Sequence, residues 1–439
     1  MKKKFITALL LIFILTAAFI LSRFSFIHEA VAFHPLIERT GTQAQLAEWA
    51  STKSKGENLI RIVRDRPDDI KNRIALAHLY IREARISGNH AYYEGAALQY
   101  ISEVLKKEPN HFEALILKAL IHLSRHQFSE GLSVATKAQQ SNPYNAFVYG
   151  LMVDAHVELG NYQEAVKNAD QMVSICPDIR SYSRISYLRE IHGDYPGAIA
   201  AMKMAVEAGV YGDETTEWAR VQLAKLYEKT GDVKQAELHY TIALDERPGY
   251  AHAIAGLADL ASARKDYKTV ISLYEQALAV LPEPTFNEGL AHVYWLMGKN
   301  AEAKESINKA IHDLEKEFKN ENHDSNLELA HAWSMAGNDD LSLEYALKAY
   351  NTRPKNIDVN ETLAWAYFKN GDAQKAVPYL EVALKTGSKN PTLLCRAGVI
   401  YAKASQKTKS RWLLEDGLRM NANIDVQLKE ESIAALKTL

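Results

Sequence analysis

Cysteine is nearly absent from this chain of 439 residues, which holds only Cys176 and Cys395. They stand far apart and outside any C-x-x-C pair, so neither a structural zinc site nor a disulfide scaffold is indicated. Proline and glycine are scarce, at 12 and 21, and they recur at intervals, which suggests helices with regular punctuation. No stretch alternates apolar and polar residues long enough to demand a sheet. Net charge is missing too. Lys and Arg number 52 against 54 Asp and Glu, leaving −2, which argues against a large basic nucleic-acid face. The phosphate-loop, dinucleotide, zinc-protease, hydrolase-elbow and EF-hand patterns are all lacking. No catalytic residue, metal ligand or cofactor is therefore assigned. At this length one compact core is also excluded, leaving several domains or a repeat array.

Long apolar runs are lacking with one exception, residues 5–21. Lys2, Lys3 and Lys4 precede it, and Ser22 and Arg23 follow. A 17-residue run lies between the roughly 7–15 of a signal-peptide core and the roughly 20 of a transmembrane helix. The charge asymmetry favours an N-in, C-out orientation. Cleavage after Ala18 would cut inside the run, so an uncleaved signal anchor is favoured over a cleaved signal, and no cysteine here can be acylated. The expectation is a membrane-anchored chain with its body in the periplasm or a lumen, or a secreted one if the segment is cleaved. Residues 22–45 then read as a polar tether and 46–69 as an amphipathic helical segment.

What the chain does have is periodicity. A small residue returns at Ala77, Ala119, Val153, Ser186, Ala224, Ala258, Ala291, Ala330, Ala364 and Gly398, mostly 33 or 34 residues apart. A turn glycine often follows seven residues later, as at Gly160, Gly193, Gly231, Gly298, Gly337 and Gly371. Further small residues follow twelve and nineteen on, and a proline closes many units. Each position has a mechanical reason. Small residues let two helices approach closely, glycine ends the first helix in a left-handed conformation, and proline stops the second. His126, Lys265 and Ser405 depart from the turn glycine. The helix expected over 112–124 is apolar nearly all round and must be covered. Candidate covers are the amphipathic segment or an insertion carrying Tyr92 and Tyr93. A Gly-Asp-rich turn between Val210 and Thr216 suggests a seam.

Over residues 70–424 the pattern resembles the tetratricopeptide repeat (TPR) family. The resemblance implies an all-α, right-handed superhelical solenoid of about ten helix-turn-helix repeats. Residues 425–439 would form a capping helix, and each hairpin would contact only its neighbours. It also implies a concave groove lined by first helices, whose floor lies one residue past the first small site. In repeats six to nine that site holds Asp259, His292, His331 and Trp365, flanked by Glu288, Trp295, Glu361 and Phe368. The Lys and Asn pair of chaperone-tail clamps is not present in any repeat.

An aromatic, histidine-bearing groove suits an extended peptide or short helix, and its histidines would titrate between about pH 5 and 7.5. The functional expectation is a scaffold or adaptor binding protein segments, with no nucleic-acid partner and with membrane contact through residues 5–21. The alternative is a metal or small-ligand site using Asp259, His292 and His331. His122 and His126 have ligand spacing but read as packing residues. The sequon at Asn360 and the basic run at 403–411 read as chance and as a solvated surface.

Overall fold

The computed structural model describes residues 33–320, 323–421 and 424–439; the apolar run and the first part of the tether lie outside them. Every regular element among the described residues is a helix. Ten hairpins follow one another. Repeats one to three pair Ile70–Ser87 with His90–Lys107, Phe112–Ser124 with Phe128–Ser141, and Ala146–Glu158 with Tyr162–Ile175. Repeats four to six pair Ile179–Ile191 with Tyr195–Glu207, Glu214–Lys229 with Val233–Glu246, and Ala251–Ala263 with Tyr267–Val280. Repeats seven and eight pair Pro284–Leu296 with Asn300–Asn320 and Asn326–Met335 with Asp339–Thr352. Repeats nine and ten pair Ile357–Lys369 with Ala373–Ala383 and Pro391–Lys403 with Lys407–Met420.

The periodic small residues sit where the two helices of each hairpin cross, and they are fully buried. The approach is close enough for a side chain to reach the facing backbone. Ser186 Oγ donates to the Ala198 carbonyl at 2.7 Å, and Ser342 and Ser410 donate to Ala330 and Gly398 at 2.8 and 2.7 Å. Turn glycines have φ near +75°, and His126, Lys265 and Ser405 adopt the same left-handed geometry at +56°, +60° and +63°. The cost to a non-glycine residue, about 1–2 kcal/mol each, does not change the turn. First helices also touch the first helices of adjacent repeats, which makes them the inner wall.

The superhelix closes on itself with a regular register. The left-handed turn of each early repeat meets the loop six repeats later. Gly88 of repeat one faces Leu281, ahead of repeat seven, and Gly160 of repeat three faces Lys355, ahead of repeat nine. Gly193 of repeat four faces Gly387, ahead of repeat ten. In repeat two, the His126 ring lies 3.1 Å from the Asp324 carbonyl, ahead of repeat eight. In repeat five, Asn421 Nδ2 donates to the Glu228 carbonyl at 3.0 Å. Contacts restricted to neighbouring hairpins, the expectation from the repeat pattern, are therefore corrected. One turn of the superhelix holds six repeats and stacks on the next.

Three further expectations change. The tether is not free in its described part. Arg39 is buried, with Nη2 2.7 Å from Glu83 and Nη1 2.7 Å from Glu48. The Ile37 amide donates to Tyr93 Oη at 2.9 Å, and Tyr92 Oη donates to the Pro35 carbonyl at 2.7 Å. The tyrosine insertion of repeat one thus docks the incoming chain. Its Tyr93 joins Leu59 and Val63 in the cluster that covers only one side of Phe112–Ser124, at Ala114, Leu117 and Ile121, while the other side is covered by the hairpins that follow. The Val210–Thr216 turn is no seam, because a single cluster runs through it from Tyr195 to Leu260.

Candidate functional site

The inner wall of repeats five to ten encloses a cavity of about 740 Å³, within the range that ligand pockets occupy. Asp259, Glu288, His292, Trp295, His331 and Trp365 all line it. Glu288, His292 and Trp295 are spaced i, i+4, i+7, which keeps three side chains on one helix face. Glu361 lies on an adjoining pocket of about 220 Å³, where Arg396 Nη1 approaches it at 3.2 Å. Phe368 is a correction. It does not line the cavity but packs among Ala364, Leu394 and Ala397, with its ring 5.2 Å from that of Trp365.

The cavity is electrostatically unbalanced. Burial and then the neighbouring Asp259 push Glu228 up to about 7, and burial followed by Glu328 does the same to Glu288. Asp259 keeps exposed surface toward the cavity. The concave wall nonetheless withdraws bulk water around it and raises its carboxyl, despite the hydroxyl of Tyr274 donating to it. Among the described residues no Lys or Arg forms an ion pair with these three carboxylates; Lys225 acts on Glu228 and Asp259 only at a distance, Lys369 also lines the cavity, and Lys229 and Arg396 are committed to Glu190 and Glu361. Burial and then Arg396 lower His331 to about 4, so this ring is neutral across the range where the sequence expects it to titrate. Its Nε2 lies 3.1 Å from Thr362 Oγ1. Asp259, His292 and His331 do not converge: among the described residues no three of His, Cys, Asp or Glu are placed to hold a metal ion.

Two contributors were missed by the sequence reading. Glu228 lies four residues past Ala224, the same offset that places Trp295 past Ala291, so extending that rule to repeat five finds it. Asp425 had no such signal. It belongs to the closing helix Val426–Thr438 as its N-cap, and it reaches His292 Nε2 at 3.2 Å. That helix packs on both helices of repeat ten and turns into the groove, where Gln427, Leu428 and Glu431 form one side of the cavity.

A closed array of ten small-residue hairpins around a lined groove defines a helical-repeat binding scaffold. Tetratricopeptide-repeat models match residues 219–250, 253–288 and 286–311. These segments carry tetratricopeptide repeats, and the hairpins before and after them share the same helix-turn-helix architecture. It is 34% identical over 90 residues to cellulose synthase operon protein C of Pseudomonas fluorescens, covering 20% of this chain and 7% of that protein. It is 30% identical over 96 residues to small glutamine-rich tetratricopeptide repeat-containing protein 2 of Saccharomyces cerevisiae, covering 22% and 27%. The chain thus spans only a small part of these relatives. Among solved structures, a tetratricopeptide repeat protein from Parabacteroides merdae aligns at 20% identity and TM-score 0.34, over 58% of this chain and 98% of that one.

Proposed function

We propose that the groove of repeats five to ten binds an extended segment of another protein, and that the segment carries lysine or arginine. The observation behind this reading is one cavity holding three carboxylates without ion-pair partners, Glu228, Asp259 and Glu288, beside Trp295 and Trp365. A cationic side chain forms charge-assisted hydrogen bonds with such carboxylates and lays its stem or charge on the indole faces. The carboxylates rise from three successive first helices, roughly 10 Å apart. An extended chain presents side chains on one face every ~7 Å, so a short basic segment meets several of them. The role is that of an adaptor or assembly factor, binding without chemistry.

Calorimetry with synthetic octapeptides tests this. A lysine-rich peptide should bind, glutamate-rich and Gly-Ser peptides should not, and Glu288→Gln should weaken binding about tenfold, in line with a charged hydrogen bond. Near neutral pH, binding should also release protons, since a bound cation lowers the raised carboxyls. Equal binding of all three peptides would overturn the reading.

We also infer that the array lies outside the cytoplasm, supported by Lys2–Lys4 ahead of residues 5–21. Among the described residues no helix is long and apolar enough to cross a membrane. A reporter active only outside the cytoplasm, fused after Leu439, should be active; activity confined to the cytoplasm would refute the inference.

A further inference from the structure

The stacking of one superhelical turn on the next uses two edges. One is the row of left-handed turns inside the hairpins, and the other is the row of loops between hairpins. Inside the chain, the turn edge of repeats one to five is filled by the loop edge ahead of repeats seven to ten and just after repeat ten. The residues that end the helices on that loop edge are correspondingly buried: Leu281, Arg353 and Asn421. Arg247, ahead of repeat six, is buried against the N-terminal segment through Glu48.

Both edges recur unfilled at the two ends. Of the equivalent helix-ending residues of the first turn, Arg66, Glu108 and Ala208 are exposed, and Asn142 and Cys176 are half-buried. On the same loops stand Tyr144, 84% exposed, and Val210 and Tyr211, at 73% and 74%. These are the most exposed large apolar side chains among the described residues, and the groove does not use them. At the other end, the turns of repeats seven to nine are open. A Cβ added at Gly298, Gly337 or Gly371 would meet nothing within 4 Å, whereas one at Gly193 would lie 2.6 Å from the Gly387 carbonyl. Met297 is exposed on this turn edge, beside Gly298. The closing helix leaves the edge uncovered because it turns inward to the groove.

We propose that a second copy of this chain stacks head to tail on the first, its first-turn loops seated on the open turns of repeats seven to nine. The occupant is a second copy because the only shape already shown to fit a row of these turns is a row of these loops. The contact is heterologous, so each copy still offers one free edge and growth into longer stacks is open. Exposed aromatic side chains on a loop row are what such a contact would desolvate.

The test is sedimentation velocity of the full chain in density-matched detergent, from low to high micromolar concentration. The expected result is a rise from the monomer mass of 49.3 kDa to twice that and beyond. Tyr144→Lys with Tyr211→Lys should hold the chain at the monomer mass. Met297→Lys on the opposite edge should do likewise. Neither change should alter the circular dichroism, since these side chains lie at the surface. Mixing the two variants decides the geometry. Each retains the edge the other lost, so an equimolar mixture should recover a dimer and stop there. A full chain that stays monomeric throughout, or a mixture that stays monomeric, would overturn the proposal.

Discussion

Arg353 Nη1 lies 2.7 Å from Glu158 Oε2, although the two residues are 195 positions apart. Arg353 ends the second helix of repeat eight and Glu158 the first helix of repeat three, so the pair joins successive turns of the superhelix. The guanidinium is buried and also stacks 5.0 Å above the Phe128 ring. Nearby, the Ile357 amide donates to Tyr162 Oη at 2.9 Å. Removing one member of a buried ion pair leaves an uncompensated charge. Because the Glu158 side chain keeps partial exposure, Arg353→Ala should destabilise the chain by about 1–3 kcal/mol, measured by chemical denaturation. A linear solenoid without inter-turn contacts would show well under half of that loss.

The same register sets two glycines apart. Gly160 and Gly298 have φ of +74° and +72° and occupy the same turn position. A Cβ at Gly160 would run into the Lys355 backbone, whereas at Gly298 it would meet open space. Gly298→Ala should cost only the left-handed penalty, about 1 kcal/mol. Gly160→Ala should cost clearly more, because backbone of the next turn must move. Equal shifts in melting temperature would show that the turns do not stack.

Most of the hairpin architecture was legible in the sequence, since small residues at helix crossings and breakers at turns act locally. Even His126, Lys265 and Ser405 kept the turn, because the surrounding hairpins impose it. The stacking of turns was not legible. It depends on the small rotation between repeats accumulated over six of them, and no single position encodes that. Six of the eight groove residues line the cavity, and their placement came from the concave-face position that the tetratricopeptide resemblance implies, carried along the period of the repeat. Glu361 fell on the adjoining pocket. Phe368 was misplaced because it packs against repeat ten, and Asp425 was missed because a terminal helix folds back from outside the period.

The acidic wall predicts a pH dependence of stability. Glu288 is held at about 7 when folded, against an ordinary 4.5. Between those values the folded chain keeps a proton that the unfolded chain has lost, so this contribution is present below about pH 4.5 and vanishes as pH rises through 7. Glu228 and Asp358, also raised to about 7 by burial first, act in the same sense. His252 and His331, lowered to about 4 by burial, act oppositely between about pH 4 and 6.5. Thermal melts should show Glu288→Gln matching wild type at about pH 5 and exceeding it at about pH 8. A variant that gains nothing at the higher pH would contradict the raised carboxyl.

Trp365 carries a different consequence from the one its sequence position suggests. As a groove residue, its truncation would leave stability unchanged. The structure revises this, because the indole packs against a cluster of Cys395, Ile424 and Leu428 that pins the closing helix to repeat ten. Arg396 stacks 5.0 Å from the ring on the cavity side. Trp365→Ala should therefore lower the melting temperature and release the helix Val426–Thr438, whereas His292→Ala, which removes a half-exposed ring, should do so far less. Cys395 gives a direct readout. It is fully buried beneath Leu428, and burial pushes its thiol up, so it should react slowly with a disulfide reagent. In a Cys176→Ser background, Leu428→Asp should open this contact locally. Each 1.4 kcal/mol of lost docking energy speeds labelling about tenfold, while the remaining array keeps its helical circular dichroism. Because the same helix walls the cavity, faster labelling of Cys395 should be accompanied by greater accessibility of Trp295 to a soluble fluorescence quencher. Leu428→Asp with unchanged Cys395 labelling would mean that the closing helix does not depend on this cluster for its place in the groove.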